Sequence, residues 1–292
     1  MRSALSTLEL VRPRSLPAAI AALHESLGSE RLTPLAGGTD LFVYLNAGTL
    51  AGRRFLDLTP LAELTRIRVA HAGVRIGALA TFRAIRTHDV LRRRFPALVA
   101  AASEVGAWQI QSRATLAGNI ANASPAGDSL PVLLAHDAVV RARSVRGERA
   151  IEFGRLFRGY RDLDLAPDEL ITEIELPEPP RGALPFFRKV GTRRAQSISK
   201  VVFCGLAKPG RSGALEHVRL AYGSVAPVPL RAAQAEAALE GSKPGEAAVA
   251  GAREALARDI APIDDIRSDR EYRMTVAGNV LDQFLRAVRG TR

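Results

Sequence analysis

Two glycine-bearing stretches constrain this chain more than any other feature: Ala36-Gly37-Gly38-Thr39-Asp40, and Thr115-Leu-Ala-Gly-Asn-Ile-Ala-Asn-Ala-Ser-Pro-Ala-Gly-Asp128. Each strings backbone donors and short polar side chains along a tight bend, which suits a phosphate. The first follows an apolar run, Leu32 to Leu35, and precedes a helical pattern through Leu41, Val43, Tyr44 and Leu45, with Thr39 and Asp40 placed to cap it. A strand-to-helix turn leaves backbone N–H groups unpaired where the helix dipole favours an anion. Gly118, Pro125 and Gly127 argue that the second stretch is an extended, turning loop rather than a continuous helix. Asn119, Asn122, Ser124 and Asp128 are costly to bury there unless a ligand rich in donors and acceptors meets them. Two such stretches point to a ligand with more than one phosphate, or one clamped from two sides. The first lacks the Gly-x-Gly-x-x-Gly spacing of the nicotinamide-binding fold.

At 292 residues and 47% apolar content the chain can bury a sizeable core, and its length suggests two domains. No run approaches eighteen apolar residues, so no membrane span is expected, and Glu9 and Arg12 fall where a signal peptide needs an apolar stretch. Both point to the cytoplasm. Cys204 is the only cysteine, which excludes an internal disulfide, a four-thiolate zinc site and an iron–sulfur cluster held by the chain's own ligands. The five histidines lack metal-site spacing and read as surface or capping residues. The formal charge of +11 is almost all arginine, with lysine only at Lys189, Lys200, Lys208 and Lys243. It is spread along the chain, not interleaved with aromatics as a nucleic-acid platform would need, so no nucleic-acid partner is expected.

Ser15 caps a helix whose apolar residues Ile20, Leu23 and Leu27 fall at helical spacing, with Gly28 to stop it. Strand-length apolar runs at 53–58, 65–70 and 73–78, and helical segments opened by Thr81 and Pro96, give an α+β alternation. Asp128-Ser129 can cap a helix over 130–135, and 139–143 and 170–176 complete the strand set. Pro177-Glu-Pro-Pro-Arg-Gly182 is rigid and poor in donors, and marks the domain boundary. After it, 186–191, 201–207 and 218–222 read as an antiparallel sheet, and 230–239, 246–258 and 271–288 as helices: a second α+β domain.

Ala36 to Leu41 together with Thr115 to Ser129 resembles the paired flavin-binding signature of the FAD subunit (medium subunit) of the xanthine dehydrogenase and carbon monoxide dehydrogenase family of molybdenum hydroxylases. The resemblance extends to Phe157-x-Gly-Tyr-Arg161, Asp168-Glu-Leu-Ile171, Phe187-Arg-Lys-Val-Gly-Thr-Arg-Arg194, Ile198-Ser-Lys-Val201 and Asp265-Ile-Arg-Ser-Asp-Arg-Glu-Tyr-Arg273, nearly the whole chain in the family's order. Ala117 stands where the family usually has glycine.

The resemblance implies an FAD-binding domain of the vanillyl-alcohol-oxidase type over 1–178, in two α+β lobes of about 1–58 and 59–178, and a C-terminal domain over 183–289 closing on the flavin. It implies that Leu35, Ala36, Gly37, Gly38, Thr39, Asp40 and Leu41, with Thr115, Gly118 and Asn119, cradle the pyrophosphate. Asn122, Ser124 and Asp128 would fall near the ribityl chain and isoalloxazine, Ile171 against the ring, and Lys189 near its pyrimidine edge. A cation there would favour reduced flavin, which carries negative charge at N1.

The function implied is electron transfer. Electrons would leave a molybdenum cofactor in a large partner subunit, cross iron–sulfur clusters in a small one, and pass through FAD to NAD, oxygen or another carrier. No side chain need act as a catalytic nucleophile or base, because the flavin performs the chemistry. Two other readings are a free-standing flavin oxidoreductase of the same fold and, from charge alone, a basic binding protein without redox activity.

Overall fold

In the computed structural model, residues 7–28, 30–50, 52–193 and 196–290 are described. The first residues of the N-terminal stretch and Arg194 of the flavin-subunit motif lie outside them. The chain opens with β1 (Glu9–Val11), α1 (Leu16–Glu25), β2 (Thr33–Leu35), α2 (Leu41–Ala47) and β3 (Arg54–Asp57). The three strands form a parallel sheet in the order β1-β3-β2. Ser15 caps α1 as expected, its hydroxyl accepting from the Ala18 amide at 3.3 Å, and Pro17 lies in the first turn, where its missing N–H costs nothing. Leu16, Ala19, Ile20 and Leu23 share one face of α1 and pack on Leu32, Leu56 and Leu58.

A larger unit follows: β4 (Ile67–Ala70), β5 (Gly73–Gly77), α3 (Phe82–Thr87), α4 (Asp89–Arg94), α5 (Pro96–Glu104), α6 (Trp108–Gln111), α7 (Leu116–Asn122), α8 (Leu130–Ala135), β6 (Val139–Ser144), β7 (Gly147–Glu152), β8 (Phe157–Gly159), β9 (Asp162–Leu163) and β10 (Leu170–Pro177). Its main sheet is antiparallel in the order β4-β5-β10-β6-β7, and β8 and β9 form a separate ribbon. Residues of one face, among them Val74, Ile76, Val140 and Ile174, share a core with Phe82, Phe95, Leu98, Leu130 and Leu133 of the helices. Arg75 alternates with Val74 and Ile76 and so lies on the opposite face, where it pairs with Glu175 at 3.0 Å.

The C-terminal unit is β11 (Leu184–Val190), β12 (Val201–Pro209), β13 (Leu215–Gly223), β14 (Leu230–Arg231), α9 (Ala233–Leu239), α10 (Glu246–Asp259) and α11 (Arg270–Gly290). The four strands are antiparallel in sequence order. Both faces of this sheet are covered, which explains the unbroken apolar run Val201 to Ala207: Phe203 meets Phe284 of α11, while Cys204 joins the core of the preceding unit. The segment 230–239, which reads as one helix, begins instead as an edge strand. Arg231 there forks onto Glu236 at 2.5 and 2.6 Å and reaches Asp137 at 2.8 Å. The strands β1, β7, β8 and β9 carry no sequence pattern strong enough to announce them.

Histidines are less uniform than the sequence suggests. His24 bonds the buried carboxylate of Asp168 at 2.9 Å. His136 is buried against Phe95 with neither ring nitrogen partnered among the described residues, and burial pushes its pKa down to about 4.

Phe284 contacts Phe186 and Phe203 at centroid distances of 5.9 and 5.7 Å and is fully buried. Phe284→Ala is expected to destabilise the protein by about 3–5 kcal/mol through the cavity left behind, measured by urea unfolding.

Candidate functional site

The first glycine stretch is the turn from β2 into α2. Gly38 has φ +73°, a conformation that L side chains rarely adopt. Gly37 is needed for a different reason: a Cβ there would sit 2.0 Å from the carbonyl oxygen of Arg113, just before the second stretch. The amides of Gly37, Gly38, Thr39 and Asp40 have no protein acceptor among the described residues. Asp40 precedes α2 but makes no side-chain cap, contrary to the expectation from its position.

The second stretch is not the extended loop that its glycines and proline suggest. It opens as α7, capped by Thr115, whose hydroxyl accepts from the Gly118 amide at 3.1 Å. Gly118 falls in the first turn, and Pro125 lies beyond the helix end, so neither breaks it. Ala117 is helical and buried, a place where alanine is favoured over glycine by about 1 kcal/mol. The helix stops at Ala123, whose φ of 48° turns the chain toward Ser124 and Asp128. Ser129 does not cap α8; its hydroxyl donates to Asn119 Oδ1 at 2.7 Å and ties the two ends of the stretch together.

Both stretches open onto one cleft of about 1470 Å³. Ala36, Gly37, Gly38, Thr39, Asp40 and Leu41 line it from one side, and Thr115, Gly118, Asn119, Asn122, Ser124 and Asp128 from the other, with Ile171 of β10 as part of an apolar wall. Two expected site residues are not in its lining. Leu35 lies beneath the glycine turn, where a Cβ on Gly38 would meet its side chain at 3.3 Å. Lys189 of β11 lies behind Asp128, its side chain only 3% exposed, so it is not a solvent lysine beside Arg188. Its ammonium donates to Asp128 Oδ2 at 2.6 Å and to the Glu104 carbonyl at 3.0 Å.

Asp128 is the most perturbed group in the cleft wall. Burial pushes its pKa up to about 6, against the opposing pull of Lys189. Its Oδ1 is buried and makes no hydrogen bond among the described residues.

Sequence reasoning assigned no site role to several lining residues. Arg161, φ 55°, donates to the Tyr44 hydroxyl at 3.0 Å, and Tyr44 donates to Asn122 Oδ1 at 2.9 Å, fixing that amide. Ser199, Ser224 and Arg273 supply a polar wall from the C-terminal unit: the two hydroxyls are 3.0 Å apart, and Arg273 donates to the Ser224 carbonyl at 2.8 Å and Asp265 at 2.8 Å. Arg161, Ser199 and Arg273 all belong to motifs of the family resemblance, which was the available signal.

These features fit a dinucleotide carrying a planar ring. Free amides and a cation suit a pyrophosphate, an apolar wall suits a ring, and an unpartnered carboxylate oxygen calls for a donor.

Comparison with known proteins agrees. Residues 6–179 match the family described as the FAD binding domain in molybdopterin dehydrogenase, and residues 186–288 match the CO dehydrogenase flavoprotein C-terminal domain. The chain therefore belongs to the FAD-binding, or medium, subunits of the xanthine dehydrogenase and carbon monoxide dehydrogenase family of molybdenum hydroxylases, which are oxidoreductase flavoproteins. It is 32% identical over 266 residues to an Escherichia coli xanthine dehydrogenase FAD-binding subunit, covering 88% of this chain and 89% of that one. It is also 32% identical to the glyceraldehyde dehydrogenase medium chain of Sulfolobus acidocaldarius, with 91% and 92% covered. Among solved structures, a chain of the carbon monoxide dehydrogenase from Hydrogenophaga pseudoflava superposes with a TM-score of 0.91 at 27% identity, covering 97% and 96%.

Gly37→Ala is expected to force the glycine turn away from residue 113 and reduce flavin content at least tenfold, read from visible absorbance per protein. Asp128 gives a pH prediction. Its folded pKa lies above the usual value of 3.8, so its contribution to stability is greatest below that value and is lost as pH rises through about 6. In the flavin-free chain, urea unfolding at about pH 4.5 and about pH 7.5 should show the wild type losing stability relative to Asp128→Asn across that interval.

Proposed function

We propose that this chain is an electron-transfer subunit, receiving electrons from iron–sulfur clusters in a small partner subunit and delivering them to NAD or another acceptor. A large partner subunit would hold the molybdenum cofactor at which substrate is oxidised. The observation that carries this reading is the convergence of two donor-rich turns, an apolar wall and an unsatisfied buried carboxylate on one cleft. Bound FAD would supply the chemistry, an electron carrier that takes single electrons from clusters and gives pairs to an acceptor.

The chain's own residues hold and shape that site. In this reading the amides of Gly37 to Asp40 and the Thr115-capped turn bind the pyrophosphate, and Arg161 adds the cation that the turns lack. Asn122, held by Tyr44, and Ser124 orient the ribityl chain, while Ile171 packs on the ring. Asp128 stands beside the ring, and Lys189 holds Asp128 rather than touching the ring. The domains would be those of the vanillyl-alcohol-oxidase type: 1–178 in two lobes split near residue 58, and 183–289 closing the cleft with Ser199, Ser224 and Arg273.

The chain purified from its host is expected to show flavin absorbance, to release FAD by mass, and to bring with it partners containing iron, sulfide and molybdenum. Failure to take up FAD even with those partners present would overturn the reading.

A further inference from the structure

We propose that Asp128 takes up a proton when the flavin is reduced and releases it on reoxidation, and that Lys189 is a positioning residue that acts on the flavin only through Asp128. The proposal rests on the FAD reading above, and it starts from an asymmetry in the carboxylate. Oδ2 is fully engaged by the Lys189 ammonium, which is itself fixed by the Glu104 carbonyl. Oδ1 is also buried and makes no hydrogen bond among the described residues. A buried carboxylate oxygen is satisfied in three ways here: the neighbouring Ser199 hydroxyl turns to it, a donor comes from whatever fills the cleft, or the oxygen carries a proton.

The surroundings make that choice sensitive to a nearby charge. The charged groups facing Asp128 are Lys189 from β11, which favours the carboxylate, and Glu104 at the end of α5, which opposes it. The Ser199 hydroxyl adds a weaker stabilisation of the charged form. Burial opposes ionisation more strongly than any of these, so in the flavin-free chain the acid and its carboxylate are balanced at about pH 6. Negative charge arriving on a ring beside Asp128 acts as a second Glu104 and drives a proton onto Oδ1.

The balance is complete. Two electrons from an iron–sulfur donor and one proton leave the reduced flavin with a single negative charge. A second proton, taken from water, forms an O–H bond on Oδ1 and neutralises the carboxylate. One negative charge stands in the site before and after, beside the same ammonium. Asp128 thus keeps the net charge of a buried site constant through reduction, where a fixed carboxylate would double the negative charge there. Lys189 sets the pH at which this exchange operates.

The test is a redox titration of the FAD-loaded complex from about pH 5 to about pH 9, with flavin absorbance as readout. In the wild type, the midpoint potential is expected to fall more steeply with pH over a segment that begins where Asp128 ionises beside oxidised flavin, by one additional proton per two electrons. Each tenfold change in proton activity then moves the potential by about 30 mV more than on the shallow segment. Asp128→Asn should remove the steep segment, and Lys189→Gln, which takes the ammonium from Asp128, should move its onset to higher pH. Loss of packing alone would change flavin content or Tm and leave the slope as it was. A wild-type profile with no steep segment, a steep segment that survives in Asp128→Asn, or an unshifted onset in Lys189→Gln would each overturn the proposal. A complex that holds no flavin would overturn the FAD reading instead, and this proposal with it.

Discussion

The cleft depends on one close approach of backbone to backbone. The glycine turn after β2 can lie against the carbonyl of Arg113 only because residue 37 has no side chain. Residues 113–116 are in turn stitched to the corner between β5 and α3: the Phe82 amide donates to Ala114, the Leu116 amide donates to Ala80, and Thr81 bridges to Thr115. The position of the small parallel sheet is therefore transmitted to the large antiparallel one through a contact of a few atoms. Three side-chain ties reinforce it. Arg31 donates to the Pro167 carbonyl at 2.6 Å, Tyr44 reaches Asn122, and Asp168 is shared between His24 of α1 and Arg146. Without this registry, the free amides of the two turns would not face a common ligand.

The third wall has a different physical basis. The C-terminal sheet is covered on both faces, and alternation along β11 sends Phe186 and Val190 to its own helices while Phe187 goes to the neighbouring core. Lys189 shares the parity of Phe187, and this is what aims a lysine into the protein interior beneath Asp128. Arg273 is the corresponding anchor at the other side of the cleft. Its guanidinium joins the Lys200 and Ser224 carbonyls to Asp265, so one planar group ties the paired ends of β12 and β13 to the segment that leads into α11.

Much of this was legible in the sequence, for identifiable reasons. The α1 helix has an N-cap, an early proline and an uninterrupted apolar face, so local and tertiary preferences agree. The C-terminal sheet announces itself through long apolar runs. Where the sequence misleads, side chains have been taken up by non-local partners. Ser129 and Asp40 are placed as helix caps; Ser129 is used to hold Asn119, and Asp40 stands at the cleft. Glycine and proline suggest a loop over the second stretch, yet Gly118 occupies the turn that Thr115 caps and the helix ends before Pro125. The partner of Lys189 is 61 residues distant in sequence, and no local pattern could assign it.

The arginine content acquires a physical meaning from the same geometry. On the face of the large sheet away from its helices, arginines stand beside carboxylates: Arg68 with Glu173, and Arg75 and Arg141 each with Glu175 at 3.0 Å. Such exposed pairs are each worth about 0–1 kcal/mol, so they contribute little stability. What they do is cancel charge locally, and a polyanion approaching this face would meet far less field than the formal +11 implies. Arg161 is arranged differently. It is bonded to a tyrosine hydroxyl rather than to a carboxylate, with Asp40 as the acid whose field reaches it. Its donors are therefore left available inside the cleft, beside amides that are also unpaired. Positive charge is neutralised where it would recruit polyanions and kept where a small anion would sit, which is the distribution a phosphate-bearing cofactor requires.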